Sequence, residues 1–227
     1  MAKLHRSEGD INLSPFRGKW QKEHLDDATK SLLEEDSRYF LKQSLSTPCL
    51  NGMKTCEGIY IEDLQGRRYM DFHGNNVHQV GFANPEVIEA VKNQLDELSF
   101  CTRRYTNQVA VDLAKKLIQI APDSFEKVLL CPGGTGAIGM ALKLARIATG
   151  RHKTISMWDS FHGASLDAIS IGGEAIFRQD MGPMMPGTEH APPPDEYRCI
   201  LGCADRGGCD MTCARYVEYM LEKEGDI

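Results

Sequence analysis

The sequence predicts an α/β protein. Three observations carry this reading: an apolar run, a glycine turn, a helix and a second strand follow one another over residues 128–158; two amphipathic helices precede them; and a hairpin precedes those. Val128-Leu129-Leu130 is a run of buried-strand type, ended by Pro132, which has no ladder N–H. Gly133, Gly134, Thr135 and Gly136 follow. Ala137, Ile138, Ala141, Leu142 and Ala145 then recur at helical spacing until Thr149-Gly150, and Thr154-Ile155-Ser156-Met157-Trp158 reads as the next strand. Strand, helix and strand in this order build a mainly parallel sheet.

The remaining elements can be justified in order. Residues 1 to about 20 are polar and are expected to be loosely held. Residues 25–45, with Leu32, Leu33, Tyr39, Phe40 and Leu41, suggest one or two helices; Pro48 ends them and Asn51-Gly52 signals a turn. Residues 58–63 and 68–72 are strand-like around Leu64-Gln65-Gly66-Arg67, a hairpin. A polar loop at 73–77 holds Asn75 and Asn76. Asn84 then caps a helix with Pro85 at its first position and Val87, Ile88, Val91 and Leu95 on one face. A connector at 101–106 carries Arg103, Arg104 and Tyr105, and a second amphipathic helix fills 107–120. Beyond residue 163 the pattern loosens into a proline- and cysteine-bearing excursion at 183–213, before a helix near 215–223. The expected organisation is an N-terminal segment with helices and a hairpin at 1–72, and the first part of a larger domain at 73–227.

Composition narrows the function classes. With 227 residues, 41% hydrophobic and 26% charged, the chain suits a globular protein with ample core. A net charge of −6 with no basic face argues against nucleic acid as a partner. No run approaches the roughly 20 apolar residues of a membrane span, and the polar N-terminus does not read as a signal peptide. Neither a nucleic acid nor a membrane is therefore an expected partner, and the cytoplasm is the expected location. There, eight cysteines point to reduced thiols or a metal site rather than disulfides.

The chemistry concentrates at residues 133–136. A glycine turn that opens a helix leaves backbone N–H groups unpaired beside the positive end of the helix dipole, which makes an anion site, most often for phosphate. Two other readings compete. Gly134, Gly136 and Gly139 form G-x-G-x-x-G, and Asp159 lies twenty residues past the last of them, so a dinucleotide site is a rival and an NAD-dependent dehydrogenase the alternative from another class. The glycines could also serve only a tight turn. Against the dinucleotide, Pro132-Gly133 separates strand from turn, and a long stretch of chain precedes what should be an opening β-α-β unit.

The order of motifs along the chain resembles the class III (ω-amino-acid) aminotransferases, pyridoxal-phosphate enzymes of fold type I. The run at 58–72 is similar to that family's D-x-x-G-x-x-Y-x-D hairpin. Val80-Gly81-Phe82-Ala83-Asn84-Pro85 is similar to its G-H-x-H-P turn. Leu113-Ala114-Lys115-Lys116-Leu117 and Ala121-Pro122 match the segment before its cofactor strand, residues 130–146 its S-G-T-E-A…A-L-K-L-A-R signature, and Phe161-His162-Gly163 its aromatic-H-G. The resemblance covers residues 25 to 175 and implies a large domain with a mainly parallel sheet, incomplete in this chain.

It also implies pyridoxal 5'-phosphate as cofactor. Gly133, Gly134 and Thr135 would hold its phosphate, Phe161 would stack on its ring, and His162 would shape the turn beneath, where a hydrogen-bonded structural histidine is the plainer reading. The partners implied are an amine or ω-amino acid, a 2-oxo acid and, for the full-length protein, a second copy in a homodimer. No lysine here matches the family's catalytic position, so that lysine and the aspartate at the pyridine nitrogen are expected beyond Ile227, and the chain alone is expected to be inactive. Three motif positions depart from the pattern: Gly133 replaces a serine, Gly136 a glutamate and Phe82 a histidine. With Asn75-Asn76, they open the alternative of a lyase that releases ammonia or phosphate from an amino-alkyl phosphate or hydroxy-aminophosphonate. Asn76 and Arg104 are the substrate-binding candidates, an arginine being suited to bidentate contact with an anionic head group. Cys199, Cys203, Cys209 and Cys213, spaced C-x3-C-x5-C-x3-C, are the candidates for a zinc or iron–sulfur site, although they lack the short pairs of common zinc sites; packed or redox-reactive thiols are the competing reading.

Overall fold

The computed structural model of the chain describes residues 16–41, 49–74 and 78–227. The expectations for residues 1–15, for the helix past Leu41 and for Asn75, Asn76 and Val77 lie outside them. The chain divides into two compact units, one ending at Lys116 and one running from Leu117 to Ile227.

In the first unit, α1 (Phe16–His24) and α2 (Asp27–Tyr39) are the two N-terminal helices. Asp26 caps α2 by accepting from the Thr29 N–H at 2.8 Å. The hairpin gains a strand: β1 (Met53–Glu57), β2 (Tyr60–Asp63) and β3 (Arg68–Met70) form an antiparallel sheet in that order, with Glu57 opposite Tyr60 and Tyr60 opposite Met70. The β2–β3 turn is built on Asp63, whose side chain is fully buried. Its carboxylate accepts from the backbone N–H of Gln65 (3.0 Å) and Arg67 (2.9 Å), from Arg67 Nε (2.7 Å), Asn51 Nδ2 (3.1 Å) and the Tyr69 hydroxyl (2.9 Å). Burial alone would raise its pKa. The bonds from Arg67, Asn51 and Tyr69 outweigh burial and hold the group well below the usual carboxylate range.

Next come α3 (Pro85–Leu98) and α4 (Gln108–Ile120). Asn84 Oδ1 accepts from the N–H groups of Glu86 (3.0 Å) and Val87 (3.3 Å), and Asn107 Oδ1 from that of Ala110 (2.9 Å), so each helix starts at a side-chain cap.

The second unit holds α5 (Gly134–Thr149), ended by Gly150 at φ +70, whose N–H returns to the Arg146 carbonyl at 2.9 Å. β4 (Thr154–Met157) and β5 (Thr188–Ala191) pair in parallel, Thr154 opposite Thr188 and Met157 opposite Ala191. The crossover between them contains α6 (Leu166–Ile171) and α7 (Ala175–Arg178), and α6 packs on both α5 and β4. α8 (Thr212–Glu224) packs on β5; Glu224 pairs with Lys153, just before β4.

Two expectations are corrected. Residues 128–130 are not a strand: they join no described sheet, and Leu129 is 68% and Leu130 57% exposed. An apolar run becomes a strand only where a neighbour offers ladder partners, and no described strand lies beside this one. Nor is the core ample. Among the described residues, the buried apolar side chains are Leu25, Ala168, Ile169, Ala191, Cys203 and Met220, while the apolar faces of α3 and α4 stay exposed. No described helix is long and apolar enough to cross a membrane.

Candidate active site

The site is built where α5 begins. Gly133 precedes the helix in fully extended backbone and makes no side-chain cap, and the Ala137 N–H closes the first turn on its carbonyl at 3.0 Å. The N–H groups of Gly134, Thr135 and Gly136 therefore lack helical acceptors, and no described residue accepts from them. Open space surrounds Gly133 and Gly134: a Cβ on either would meet nothing within 4 Å. Three free amides at a positive helix end, with room before them, make an anion site.

The turn after β4 lies directly against this helix end. A Cβ on Gly163 would stand 2.8 Å from Cβ and 2.9 Å from Cγ2 of Thr135, and against its hydroxyl; Gly163 also adopts φ +130. Only glycine meets both demands. The same tightness recurs at Gly173, where a Cβ would run into the Met157 carbonyl and stand 2.5 Å from Trp158 Cα.

Phe161, in that turn, is 55% exposed, with its ring 4.5 Å from that of Phe177 on α7. His162 Nε2 is 3.3 Å from Ser156 Oγ, which lies 3.2 Å from Ser160 Oγ; Ser160 in turn donates to the Met157 carbonyl at 2.6 Å. His162 is thus tied into the polar frame of the turn. The G-x-G-x-x-G pattern has a packing explanation as well: a Cβ on Gly139 would stand 2.6 Å from the Asp167 carboxylate. Since no described strand leads into the glycine turn, the dinucleotide reading loses the context it requires.

The family model for class-III aminotransferases matches residues 43–226. The chain belongs to the class III aminotransferase family. It is 52% identical to (R)-1-hydroxy-2-aminoethylphosphonate ammonia-lyase from Vibrio splendidus, over 98% of this chain and 49% of that protein. It is also 36% identical to acetylornithine aminotransferase from Methanopyrus kandleri, over 74% of this chain and 42% of that one. The chain spans about half the length of the curated relatives it matches. Among solved structures, taurine:2-oxoglutarate aminotransferase from Bifidobacterium kashiwanohense, in complex with PLP and glutamate, superposes with a TM-score of 0.75 at 26% identity, covering 88% of this chain and 46% of that one. A Bacillus anthracis aminotransferase gives 0.74 at 26%, over 86% and 45%. The fold is thus that of the fold-type I PLP-dependent transferases, an α/β architecture present here with a partial sheet.

Within this class III chain, the approach of Gly163 to Thr135 sets the turn that carries Phe161 and His162 against the start of α5, beside Gly133 and Gly134. Arg104 belongs to the other unit, exposed on the connector between α3 and α4; next to it Arg103 Nη1 donates to the Tyr105 carbonyl at 3.3 Å. The four candidate metal cysteines line a single cavity of about 420 Å³, yet among the described residues no three His, Cys, Asp or Glu side chains converge as metal ligands.

A cation beside the site was not legible in the sequence. Arg178 Nη1 donates to the carbonyls of Ile169 (3.4 Å), Ser170 (3.2 Å) and Gly172, with its guanidinium 5.8 Å over the Trp158 ring. His190 stacks on the same ring at 4.3 Å, and its Nε2 lies 3.1 Å from the Gly172 carbonyl. Burial, reinforced by the charge of Arg178, lowers the His190 pKa against the opposing pull of the Gly172 carbonyl. Together these groups pin the 172–178 corner, and with it Phe177, against the end of β4.

Proposed function

We propose that the full-length protein is a pyridoxal-phosphate-dependent ammonia-lyase acting on a short hydroxylated aminophosphonate. The observation that carries this reading is the 52% identity to a lyase of that kind over almost the whole chain, against 36% over three quarters of it for an aminotransferase. The residues fit the cofactor. The free amides of Gly134, Thr135 and Gly136 and the Thr135 hydroxyl would hold its phosphate, with the hydroxyl placed by the close approach of Gly163. Phe161, braced by Phe177 and still more than half exposed, would lie against the ring, and His162 would hold the turn through Ser156. When bound, the cofactor supplies an electron sink for the carbon bearing the amine. Gly133, where the motif of the family resemblance has a serine, contributes backbone only, so amides outnumber hydroxyls in this cradle.

The lysine and the aspartate that the chemistry needs are proposed to lie in the part of the relatives that this chain does not span. Arg104 is the proposed contact for the phosphonate. Asn76 remains a proposed substrate contact on the strength of the family resemblance, and the active form is proposed to be a cytoplasmic homodimer. The organisation proposed for the chain is a segment at 1–72 followed by the start of the cofactor-binding domain at 73–227.

The second reading is the family's typical reaction, transfer of the amino group to a 2-oxo acid, favoured by the matches to aminotransferases. The test is to incubate purified full-length protein with (R)-1-hydroxy-2-aminoethylphosphonate and no acceptor. Stoichiometric ammonia supports the lyase. Ammonia absent without acceptor, with a new amino acid formed once a 2-oxo acid is added, overturns it in favour of transfer. Release of inorganic phosphate also overturns it.

A further inference from the structure

The four cysteines around the 420 Å³ cavity, all free thiols, are not equivalent. Cys199 is half-buried and Cys203 buried. Between them the chain turns: the Gly202 N–H donates to the Cys199 carbonyl at 3.0 Å, and Gly202 takes φ +71. That turn sets the two cysteines, four residues apart, on the wall of one cavity.

Their surroundings differ in sign. The Cys203 and Leu201 N–H groups, with the charge of Arg206, lower the pKa of the Cys199 thiol. The Cys203 sulfur lies 3.3 Å from Asp210 Oδ1, to which it donates, and 3.5 Å from Arg206 Nη2. The Asp210 N–H draws the Cys203 thiol down, but the neighbouring Cys199 sulfur, burial and the Asp210 carboxylate outweigh it and push it up to about 11. An accessible sulfur held toward its thiolate beside a buried thiol that keeps its proton is the arrangement of an attacking and a resolving cysteine.

We infer that Cys199 and Cys203 form a reversible dithiol–disulfide pair that reacts with hydroperoxides, Cys199 attacking and Cys203 resolving. The Cys199 thiolate attacks one peroxide oxygen; the O–O bond breaks and hydroxide leaves, giving a sulfenic acid. The Cys203 sulfur then attacks Cys199, an S–S bond forms, and the sulfenic hydroxyl leaves with the Cys203 proton as water. Over both steps two thiols and one hydrogen peroxide become one disulfide and two waters. Cys209 and Cys213 line the same cavity but take no part. The cavity wall includes Met157, at the end of β4 and four residues before Phe161.

Arg198 and Arg206 flank the pair, so trypsin releases residues 199–206 as one peptide holding only these two cysteines. Folded full-length protein is treated with hydrogen peroxide, then alkylated and digested. The expected result is a peptide lighter by two hydrogens and free of alkyl groups, restored to double alkylation by dithiothreitol. In Cys203→Ser, Cys199 should accumulate as a dimedone-reactive sulfenic acid; in Cys199→Ser, neither product should form. The inference is overturned if the wild-type peptide stays doubly alkylated, if Cys209 or Cys213 is oxidised first, or if the two thiols become reactive only after a chelator removes a bound metal.

Discussion

Gly163 is constrained twice, by a left-handed backbone and by the Thr135 side chain where a Cβ would stand. Gly163→Ala should therefore cost about 2–3 kcal/mol, checked by urea unfolding of the full-length protein. Thr135→Gly in the same background should return the steric part of that loss and leave the backbone part. A double variant no better than Gly163→Ala would show that the two residues do not touch. Asp63 is constrained by charge. Asp63→Asn should cost about 2 kcal/mol at neutral pH, because the bond from Arg67 loses its charged acceptor. Since folding lowers this pKa, the stabilisation is present above the unfolded-state value of roughly 4 and fades as pH falls below it. Thermal melts from pH 6 to pH 3 should show wild type and Asp63→Asn converging only below about pH 4. The residues of the candidate site could be named from the order of residue types, but the Thr135–Gly163 contact joins positions far apart in sequence. Arg178 and His190 left no signal at all, because they are held by the carbonyls of residues 169–172, atoms that every sequence has.

At the scale of elements, the helices were legible because their start signals act locally. Asn84 and Asn107 cap the helices they precede, and Gly150 ends the one it follows. Asn84→Ala should cost about 1 kcal/mol by removing the acceptor of two N–H groups, read as a lower midpoint in urea with an unchanged slope. An unchanged midpoint would mean that water satisfies those donors equally well. Strands are less local. The hairpin was legible from its turn, Asp63 to Arg67, but β1 was missed, its apolar and polar residues not alternating cleanly. Residues 128–130 were read as a strand on composition alone. Sheet pairing depends on what lies alongside, and composition does not record that. β5, the parallel partner of β4, lies inside the stretch 183–213 that the sequence showed only as a proline- and cysteine-bearing excursion.

Over the whole molecule, apolar surface stands in the place of an apolar core. On α3, Val87, Val91 and Leu95 repeat at helical spacing, and Leu95 is 57% exposed; on α4, Val109 and Leu113 continue the pattern; before α5, Leu129 and Leu130 stand open. Exposing one such side chain is ordinary, but several aligned on one helix form a patch that water disfavours by roughly 25 cal/mol per Å² of apolar area. The relatives are about twice as long as this chain, so more protein is proposed to cover these faces in the full-length enzyme. The expected outcome is that residues 1–227 expressed alone bind a hydrophobic dye and sediment as concentration-dependent oligomers, whereas full-length protein does neither beyond its proposed dimer. Val91→Lys with Leu95→Lys should suppress both signals in the short chain, because two charges on adjacent turns interrupt the α3 stripe. The same pair should cost the full-length protein several kcal/mol, since there each lysine would have to be buried. If the short chain instead stays monomeric and dye-silent, water already tolerates these faces, and the proposal that further protein covers them fails.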